Sequence, residues 1–436
     1  MKKIKFLAMA TLVAGLGLTG CGQDAEEPSG TQDPSGEVEN NGGDDVEKAS
    51  ITLLQNKPEI DAQMKEFAAA YEAETGVEVI VKSCGGDACQ IGTQLKADIA
   101  AGDTPDIFVI DGVAAYEEYE SIIAPLDGEE WVDLTDVEFT QDGGVYGFPL
   151  FIEGYGLSYN KELLEKAGID PATLTSYKAY QDAFAKIDGM KEELGIDAVV
   201  SMAAGAGMEW VTRDHNFNAL LSNGLGREDV SIVDNMLAGG VDADRLTDYA
   251  NWVNLLFDYA DQAVLTTGTY DDQVGAFANQ KTVFLHQGNW VEPNLASLGA
   301  EFDRGIVPQG STDGETDGIF VAAPSWYAVN KDSEVLDEAK AFLNYVATSE
   351  AGHEFIVDGL GAAPAFNNVE KAPANAPLTS SVIEWNSTGK TYAFNQYQIP
   401  ESVRAELGPI YGLLAQDQIS VEEFVTMFTE QIEKLK

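Results

Sequence analysis

The amino-acid sequence predicts an α/β protein with two lobes. Short apolar strands alternate with amphipathic helices at the start of the folded body, which is typical of an open sheet flanked by helices. Helices dominate the middle of the chain and strands return late, which indicates that the chain crosses between two lobes more than once. A chain of 436 residues, 44% of them hydrophobic, is long enough for two domains with separate cores.

The first 20 residues have the features of a secretory signal peptide. Three lysines within the first five residues precede an apolar run over residues 6–18, which is shorter than the roughly 20 residues of a membrane-spanning helix. The segment Leu18–Cys21 places a cysteine directly after a small residue and resembles a bacterial lipobox. The resemblance implies cleavage before Cys21 and lipid attachment to this cysteine. An ordinary signal peptide with an incidental cysteine is the alternative.

Residues 21–49 are expected to form a disordered acidic linker after the lipidated cysteine. This segment contains almost no apolar side chains, so it cannot bury enough surface to offset its chain entropy. Such a linker spaces a folded body from the membrane. We expect the folded body to begin near Ser50.

The formal net charge of −48 limits the partners of this chain. Nucleic-acid binding needs clustered Lys and Arg to neutralise phosphates, so we expect no nucleic-acid partner. The charge also argues against a protein that lies on an anionic lipid surface, so we expect membrane contact through the lipid anchor only. The excess of Asp and Glu is interpreted as a solvated surface.

The cysteines and histidines give little indication of a metal site. Cys84 and Cys89 enclose four residues and can pair as a small disulfide loop outside the cell, or remain free thiols. A metal site is the weaker alternative because two thiols and a lone Asp87 lack the usual ligand set. The three histidines are scattered, without metal-binding spacing. We therefore expect no metal and no cofactor.

The first part of the body is expected to alternate between strands and helices. Apolar and β-branched runs predict strands at Ile51–Leu54, Val77–Lys82 and Asp106–Ile110. Apolar residues at helical spacing predict helices over Glu59–Thr75 and Ile91–Ala101, each followed by Gly. This is the β-α-β-α-β pattern of an open α/β sheet.

Polar residues follow two of these strands. Asn56 and Lys57 come just after the first strand, and Asp111 comes directly after the third. Ligands of open α/β sheets bind outside the carboxyl ends of the strands. We therefore expect these three side chains at the mouth of a binding cleft.

The rest of the chain is expected to be helical in the middle and mixed later. The predicted helices are Lys161–Ala167, Ser176–Leu194, Arg245–Ala260, Asp271–Asn279, Glu334–Ala347, Glu401–Leu414 and Val421–Leu435. The predicted strands are Thr282–Leu285, Gly318–Ala322 and Trp326–Asn330.

Six short segments along nearly the whole mature body carry a family resemblance. They are Glu74–Val79, Ala100–Phe108, Gly143–Pro149, Gly156–Lys161, Gly288–Trp290 and Ala328–Lys331. Their order and spacing together resemble the extracellular solute-binding proteins of bacterial carbohydrate ABC importers, the family that includes maltose-binding protein.

This resemblance implies a two-lobed, periplasmic-binding-protein-like fold. Each lobe would be an open, mainly parallel sheet flanked by helices, with the ligand cleft at the hinge. The implied N-terminal lobe comprises residues 50–152 and 317–362, and the implied C-terminal lobe comprises residues 153–316 and 363–436. Crossings between the lobes are expected near Leu150–Gly156, near Asp313–Gly318 and beyond Gly361.

The resemblance also implies polar ligand contacts. Asp111 resembles the position at which relatives have a sugar-binding carboxylate. Glu153 and Tyr155 follow Gly147–Pro149 at the first expected crossing, where relatives have a polar ligand-facing residue. The alternative for Glu153 is a hinge residue bonded to backbone.

Aromatic side chains support a sugar ligand, because pyranose rings stack their flat C–H faces on indole and phenol rings. Trp290 matches the residue that relatives use as a stacking platform. Trp326 with Tyr327, and Trp210 after Glu209, are further candidates, and core packing is the alternative for each. Three aromatic residues near the position of a late aromatic in relatives are weaker candidates: Trp385, Tyr392 and Phe394.

Three function classes fit these features to different degrees. The first is a lipid-anchored binding protein, monomeric, on the outer face of a Gram-positive cell membrane, which delivers an oligosaccharide to ABC permease subunits and an ATPase. Malto-oligosaccharides are the first expectation; xylo-, manno- or galacto-oligosaccharides are alternatives.

The second class, a lipid-anchored glycoside hydrolase, lacks a recognisable catalytic pair of carboxylates. The third, a metal or anion receptor, is disfavoured by the histidines and the charge. We therefore expect no enzyme activity.

Overall fold

A computed structural model describes residues 49–85, 89–205, 207–311 and 316–435. The expected signal peptide, the lipidation site Cys21 and residues 21–48 of the expected linker lie outside the described residues. Within the described ranges, no helix has both the length and the apolar character needed to cross a membrane.

The strands that the structure describes are short and are spread over the chain. In chain order they are β1 Ser50–Gln55, β2 Glu78–Ser83, β3 Ile107–Ile110, β4 Phe139–Gln141, β5 Gly144–Gly147, β6 Phe151–Tyr155, β7 Leu157–Asn160, β8 Val200–Ser201, β9 Phe284–Leu285, β10 Arg304–Val307, β11 Ile319–Ala322, β12 Trp326–Val329, β13 Ala363–Pro364 and β14 Thr391–Tyr392.

The described α-helices include one at each predicted position and seven that were not predicted. They are α1 Asp61–Thr75, α2 Ile91–Ala101, α3 Val113–Tyr119, α4 Lys161–Ala167, α5 Tyr177–Asp188, α6 Lys191–Leu194, α7 Asn218–Ser222, α8 Ser231–Leu237, α9 Ala243–Asp258, α10 Gln262–Thr267, α11 Tyr270–Ala278, α12 Glu292–Ser297, α13 Leu336–Thr348, α14 Glu350–Glu354, α15 Pro377–Ser387, α16 Glu401–Ala415 and α17 Val421–Ile432. The seven that were not predicted are α3, α7, α8, α10, α12, α14 and α15. The single helix predicted over Ser176–Leu194 is divided into α5 and α6, because Gly189 and Met190 interrupt it.

The first sheet has the strand order β12-β3-β1-β2. β1 is parallel to both β2 and β3, and β12 is antiparallel to β3. All four residues of β3 are buried, which explains its continuous apolar sequence. Asp106 joins β1 to β3, since its carboxylate accepts the N–H and the hydroxyl of Thr52, each at 2.7 Å. The carboxyl ends of β1 and β3 therefore lie side by side.

The second and third sheets differ from the expectation of a mainly parallel sheet in each lobe. The second sheet, β10-β7-β9-β8, and the third sheet, β13-β6-β11-β14, each contain one parallel and two antiparallel pairings. The reason is that β6 and β7 are consecutive but belong to different sheets. Their neighbours come from distant segments rather than from a direct strand–helix–strand crossover, the connection that makes neighbouring strands parallel.

The chain passes from the third sheet to the second at Gly156. A Cβ at this position would collide with the carbonyl of Val307, so a glycine is needed there. β6 lies within the first expected crossing, and β11 and β13 follow the other two. In the third sheet, β11 and β13 pair with opposite sides of β6. The lobe boundaries and the hinge motion stay predictions.

Candidate functional site

A buried ion pair lies at the carboxyl end of β1. The Lys57 Nζ atom is 2.6 Å from the Glu153 carboxylate and 3.8 Å from that of Glu59. The side chains of Lys57 and Glu153 are only 16% and 6% exposed. The turn that carries Lys57 is fixed by Gln55, whose side chain accepts the Lys57 N–H at 2.9 Å and donates to the Lys57 carbonyl at 2.8 Å. The pair therefore joins the first sheet to β6.

The charge of Lys57 is maintained by its neighbours. Burial lowers the pKa of the Lys57 ammonium, but attraction by Glu153, and to a lesser extent by Glu59, outweighs burial and raises the pKa overall. Removal of Glu153 would leave a buried cation with only a distant carboxylate. Lys57 and Glu153 therefore hold each other in place, because either charge would be costly to bury alone.

Two small clefts adjoin the ion pair. Asn56, Lys57, Phe151, Ser325 and Tyr327 line the first. The second is lined by Glu59, Phe151, Glu153, Asn289, Trp290 and Gly361, among others. Phe151 borders both, and the Lys57 Nζ atom lies 5.8 Å from the centre of its ring. The structure thus brings together five residues predicted from sequence: Asn56, Lys57, Glu153, Trp290 and Tyr327.

Aromatic rings surround Trp290. Its ring centre is 4.7 Å from that of His215 and 5.7 Å from that of Tyr155. Trp210 contacts the same His215 at 5.2 Å and Tyr270 at 6.0 Å. Trp210, Trp290 and Tyr155, three of the predicted residues, therefore belong to one continuous aromatic group, which we call the aromatic cluster: Tyr155, Trp210, His215, Tyr270 and Trp290.

Local structure explains how Trp290 reaches this group. It lies in a short 3₁₀ turn, Asn289–Val291, before α12. A Cβ at Gly288 would collide with the Gly154 carbonyl and the Trp290 ring, so only glycine allows this approach. The Asn289 side chain accepts the Gly154 N–H at 2.8 Å and lies 3.4 Å from the Thr379 hydroxyl. The turn is therefore attached directly to β6.

Trp210 and His215 belong to a π-helical segment, Trp210–Asn216. Such segments are rare and frequently occur at functional sites. Burial lowers the pKa of His215 well below the usual value, and the neighbouring His286 and Lys57 act in the same direction. His215 is therefore neutral at physiological pH and acts as a flat ring between two tryptophans.

Asp111 lies in a second polar region. Burial raises the pKa of its carboxyl, while the charge of Arg404 opposes this effect. Arg404 is paired with Asp214 at 2.5 Å, and its guanidinium lies 5.4 Å from the centre of the Tyr397 ring. The backbone approaches closely here, since a Cβ at Gly112 would be 3.0 Å from that of Tyr397.

Trp326 and Glu209, which were also predicted as ligand contacts, are hydrogen-bonded to backbone groups. Trp326 donates its indole N–H to the Val137 carbonyl at 2.7 Å, and its ring centre lies 5.4 Å from that of Phe139. Glu209 accepts the Gly207 N–H at 2.9 Å. Of the late aromatic residues, Phe394 packs beneath Tyr155 in the core and Trp385 donates to a backbone carbonyl. Phe394 therefore adjoins the aromatic cluster at Tyr155, with the two ring centres 5.1 Å apart. Trp326, whose ring packs against Phe139, lies outside it.

Several residues of the site region were not identified from sequence. They include Phe151 at both clefts, His215 and Tyr270 in the aromatic cluster, and Tyr397 and Arg404 near Asp111. His215 was noted only as a scattered histidine without metal-binding spacing. Its distance of five residues from Trp210 carries no signal at α-helical spacing, because the segment is π-helical. Tyr397 lies in a short 3₁₀ segment, where no periodicity marks a face.

The described ranges contain no group of three or more His, Cys, Asp or Glu side chains arranged to hold a metal ion. Cys84 and Cys89 are joined by a disulfide, with their Cα atoms 5.1 Å apart. Chemically, the site offers flat aromatic faces next to an ammonium group, carboxylates and amides. Such a site suits a neutral ligand with apolar faces and a rim of hydroxyl groups.

Known proteins are similar to this chain over most of its length. A family model described as bacterial extracellular solute-binding protein matches residues 55–353. A maltooligosaccharide ABC transporter solute-binding lipoprotein of Streptococcus pneumoniae is 24% identical over 406 residues, which cover 88% of this chain and 86% of that protein. A multiple sugar-binding protein of Streptococcus mutans is 23% identical over 361 residues, covering 76% of this chain and 79% of the relative.

Among solved structures, a sugar transporter protein of Bacillus licheniformis in complex with stachyose shares the fold. Its TM-score is 0.69 at 18% sequence identity, and the match covers 89% of this chain and 100% of that chain.

Proposed function

Since the chain belongs to the family of bacterial extracellular solute-binding proteins, we propose that it captures an oligosaccharide outside the cell and delivers it to an ABC importer. The observation that carries this proposal is the aromatic cluster around Trp290 beside the Lys57–Glu153 pair. The cluster supplies stacking surfaces, and the pair supplies a donor and an acceptor for hydroxyl groups.

Malto-oligosaccharides are the first choice of ligand. One relative is named for maltooligosaccharide, another for multiple sugars, and the solved structure holds stachyose. At identities below 25%, these names support a class of ligand and leave its linkage open. Raffinose-type galacto-oligosaccharides, xylo-oligosaccharides and manno-oligosaccharides are therefore the alternatives.

Sugar capture would proceed by closure of two lobes around the cleft. The implied lobes are residues 50–152 with 317–362, and residues 153–316 with 363–436. Lys57 would come from the first lobe, and Trp290 and Trp210 from the second. Ligand favours the closed form to the extent that it makes contacts that exist only there. The protein would act as a monomer, and no step of chemistry on the sugar is required.

Calorimetric titration with a panel of maltotetraose, stachyose, raffinose, xylotetraose and mannotetraose tests the proposal. We expect one of these sugars to bind and to decrease the radius of gyration in solution scattering. Chromatography of the same sugar after long incubation should recover it unchanged. Shorter saccharides, formed at a rate proportional to protein, would instead indicate a glycoside hydrolase.

A lipid anchor at Cys21 would hold the protein at the outer face of the cell membrane. The support is the lipobox-like segment Leu18–Cys21 and the relative that is named a lipoprotein. Cys21→Ala should release the protein from the membrane or leave its signal peptide uncleaved. If this variant still incorporated labelled palmitate and fractionated with membranes, the anchor would be wrongly assigned.

A further inference from the structure

We propose that two buried glutamines, Gln287 and Gln273, are positioning residues that fix the orientation of the Trp290 indole before ligand arrives. This inference rests on the proposed function, in which Trp290 is a stacking surface for a sugar. It assigns a role in binding to side chains that lie behind the tryptophan and do not border either cleft.

The three side chains form a continuous hydrogen-bond chain. The Trp290 Nε1–H donates to Gln287 Oε1 at 2.8 Å. Gln287 Nε2 donates to Gln273 Oε1 at 2.9 Å. Gln273 Nε2 ends the chain by donating to the backbone carbonyls of Ser201 at 3.2 Å and His286 at 3.3 Å. The indole is thus connected through two amides to β8 and to His286, the residue that follows β9 of the second sheet.

The direction of this chain is fixed by the chemistry of its two ends. An indole N–H can only donate, so Gln287 must present its oxygen to Trp290. Its NH₂ group then faces Gln273, which must present oxygen in turn. The remaining NH₂ group of Gln273 meets two carbonyls, which can only accept. Neither amide can be reversed without placing two donors or two acceptors against each other.

These hydrogen bonds are costly to break, because both amides are buried. Gln287 is 1% exposed and Gln273 is 0% exposed, and a buried amide is costly unless it is hydrogen-bonded. Their backbones are held as well, since the Ser158 hydroxyl donates to the Gln287 carbonyl at 2.8 Å and the Ser201 hydroxyl to the Gln273 carbonyl at 2.7 Å. Leucine or methionine would fill these positions without a polar requirement. The amides therefore indicate a need to hold the indole nitrogen.

Stacking depends on the plane of the ring, which makes its orientation important. His215 and Tyr155 contact Trp290 within the aromatic cluster, but ring contacts alone allow rotation about the bond to the indole. The bond from Nε1 to Gln287 selects one orientation. A ring that is already ordered loses less conformational entropy when ligand binds, so pre-organisation increases affinity.

The test is a set of variants titrated with whichever sugar of the panel binds most tightly. Gln287→Met removes the acceptor at similar volume and should weaken binding about tenfold, the scale of one lost hydrogen bond. The Trp290 indole N–H resonance in ¹⁵N-correlated spectra, assigned by its absence in Trp290→Phe, should shift upfield. In the Trp290→Phe background, Gln287→Met should change affinity less than about twofold, because no N–H remains to be held.

A second tryptophan provides a matched control. Trp252 donates to Gln309 Oε1 at 3.1 Å, and both residues are fully buried in the core. Trp252→Phe removes this donor and keeps Gln309 against His286, and it should lower the melting temperature but leave the affinity and the Trp290 resonance unchanged. Trp290→Ala tests the proposed function separately, and it should weaken binding more than Gln287→Met does.

The outcomes distinguish the two proposals. If Trp290→Ala weakens binding and Gln287→Met does not, the positioning role is overturned while the proposed function stands. The role is equally overturned if Gln287→Met acts as strongly in the Trp290→Phe background as in the wild type, since the effect is then not transmitted through the indole. If Trp290→Ala has no effect, or no sugar of the panel binds, both proposals fail.

Discussion

Trp290 and Trp326 each donate one indole hydrogen bond, but the acceptors are of different kinds. Trp290 donates to a side-chain amide, Gln287, and its ring belongs to the aromatic cluster beside a cleft. Trp326 donates to a backbone carbonyl, that of Val137, and its ring packs against Phe139. Trp290 lines one of the two clefts, whereas Trp326 lines neither. We therefore expect substitutions of Trp326 to affect stability and those of Trp290 to affect binding.

The largest expected effect is on stability, from Trp326→Ala. Loss of a large, partly buried ring and its hydrogen bond should lower the free energy of unfolding by about 3 kcal/mol. Affinity for sugar should remain within about twofold of wild type in the folded fraction. Urea denaturation and calorimetry on the same preparation measure both quantities. A variant of normal stability that had lost sugar binding would reverse the comparison and return Trp326 to the ligand site.

Low pH is expected to lower the stability of the protein through His286, which lies close to Trp290 in the sequence. Burial lowers the pKa of His286, which precedes Gln287, from 6.5 to about 4. Gln309 Nε2 lies 3.2 Å from His286 Nε2, and because Gln309 Oε1 accepts from Trp252, its NH₂ group faces the ring. Protonation of that nitrogen would place two donors together. The neutral histidine is therefore the form that the native state requires.

The sign of the pH dependence follows. Between pH 6.5 and 4 the unfolded chain binds a proton at His286 that the native state excludes, so stability is full above pH 6.5 and decreases as the pH falls towards 4. The loss should reach roughly 3 kcal/mol. Urea unfolding at several pH values measures the free energy of unfolding. The slope of this free energy against pH should be shallower for His286→Gln than for wild type. Equal slopes would mean that His286 is protonated without cost.

Trp290→Ala is expected to have an effect of about 2 kcal/mol on sugar binding, within the range for loss of a buried aromatic contact. The fold should be retained, because the ring is only partly buried. Calorimetry and circular dichroism are the measurements. Unchanged affinity in a normally folded variant would remove Trp290 from the site and leave the aromatic cluster without a role in binding.

The contrast between the two tryptophans also shows what sequence can and cannot predict. Trp290 was predicted as a ligand contact because the segment Gly288–Trp290 resembles a segment of relatives, and this contact stays a prediction. Trp326 and Tyr327 are consecutive in a strand, so they point to opposite faces of the sheet. Tyr327 borders the cleft and Trp326 does not. A single sequence contains no signal that selects the face, because both residues are large and aromatic.

The fold was predictable where helices and strands alternate with clear breaks. Gly76 and Gly102 end α1 and α2 in left-handed conformation, as their positions indicate. Strand direction in the second and third sheets was not predictable, because it depends on pairing between segments more than a hundred residues apart, such as β7 and β10. The ring contacts of Trp290 have the same origin: Tyr155 and His215 are distant from it in sequence and meet it only after folding.

The bond from Asn289 to the Gly154 N–H has a mechanical consequence. Gly154 lies in β6, which is hydrogen-bonded to β11 on one side and β13 on the other, so displacement of this peptide would distort backbone bonds on both edges. A force applied to the Trp290 turn is therefore transmitted through one amide into a strand that pairs with β13 over residues 151–152 and with β11 over residues 153–155. The indole, its turn and the three paired strands thus form a single stiff element, and tension at the ring is borne by the backbone.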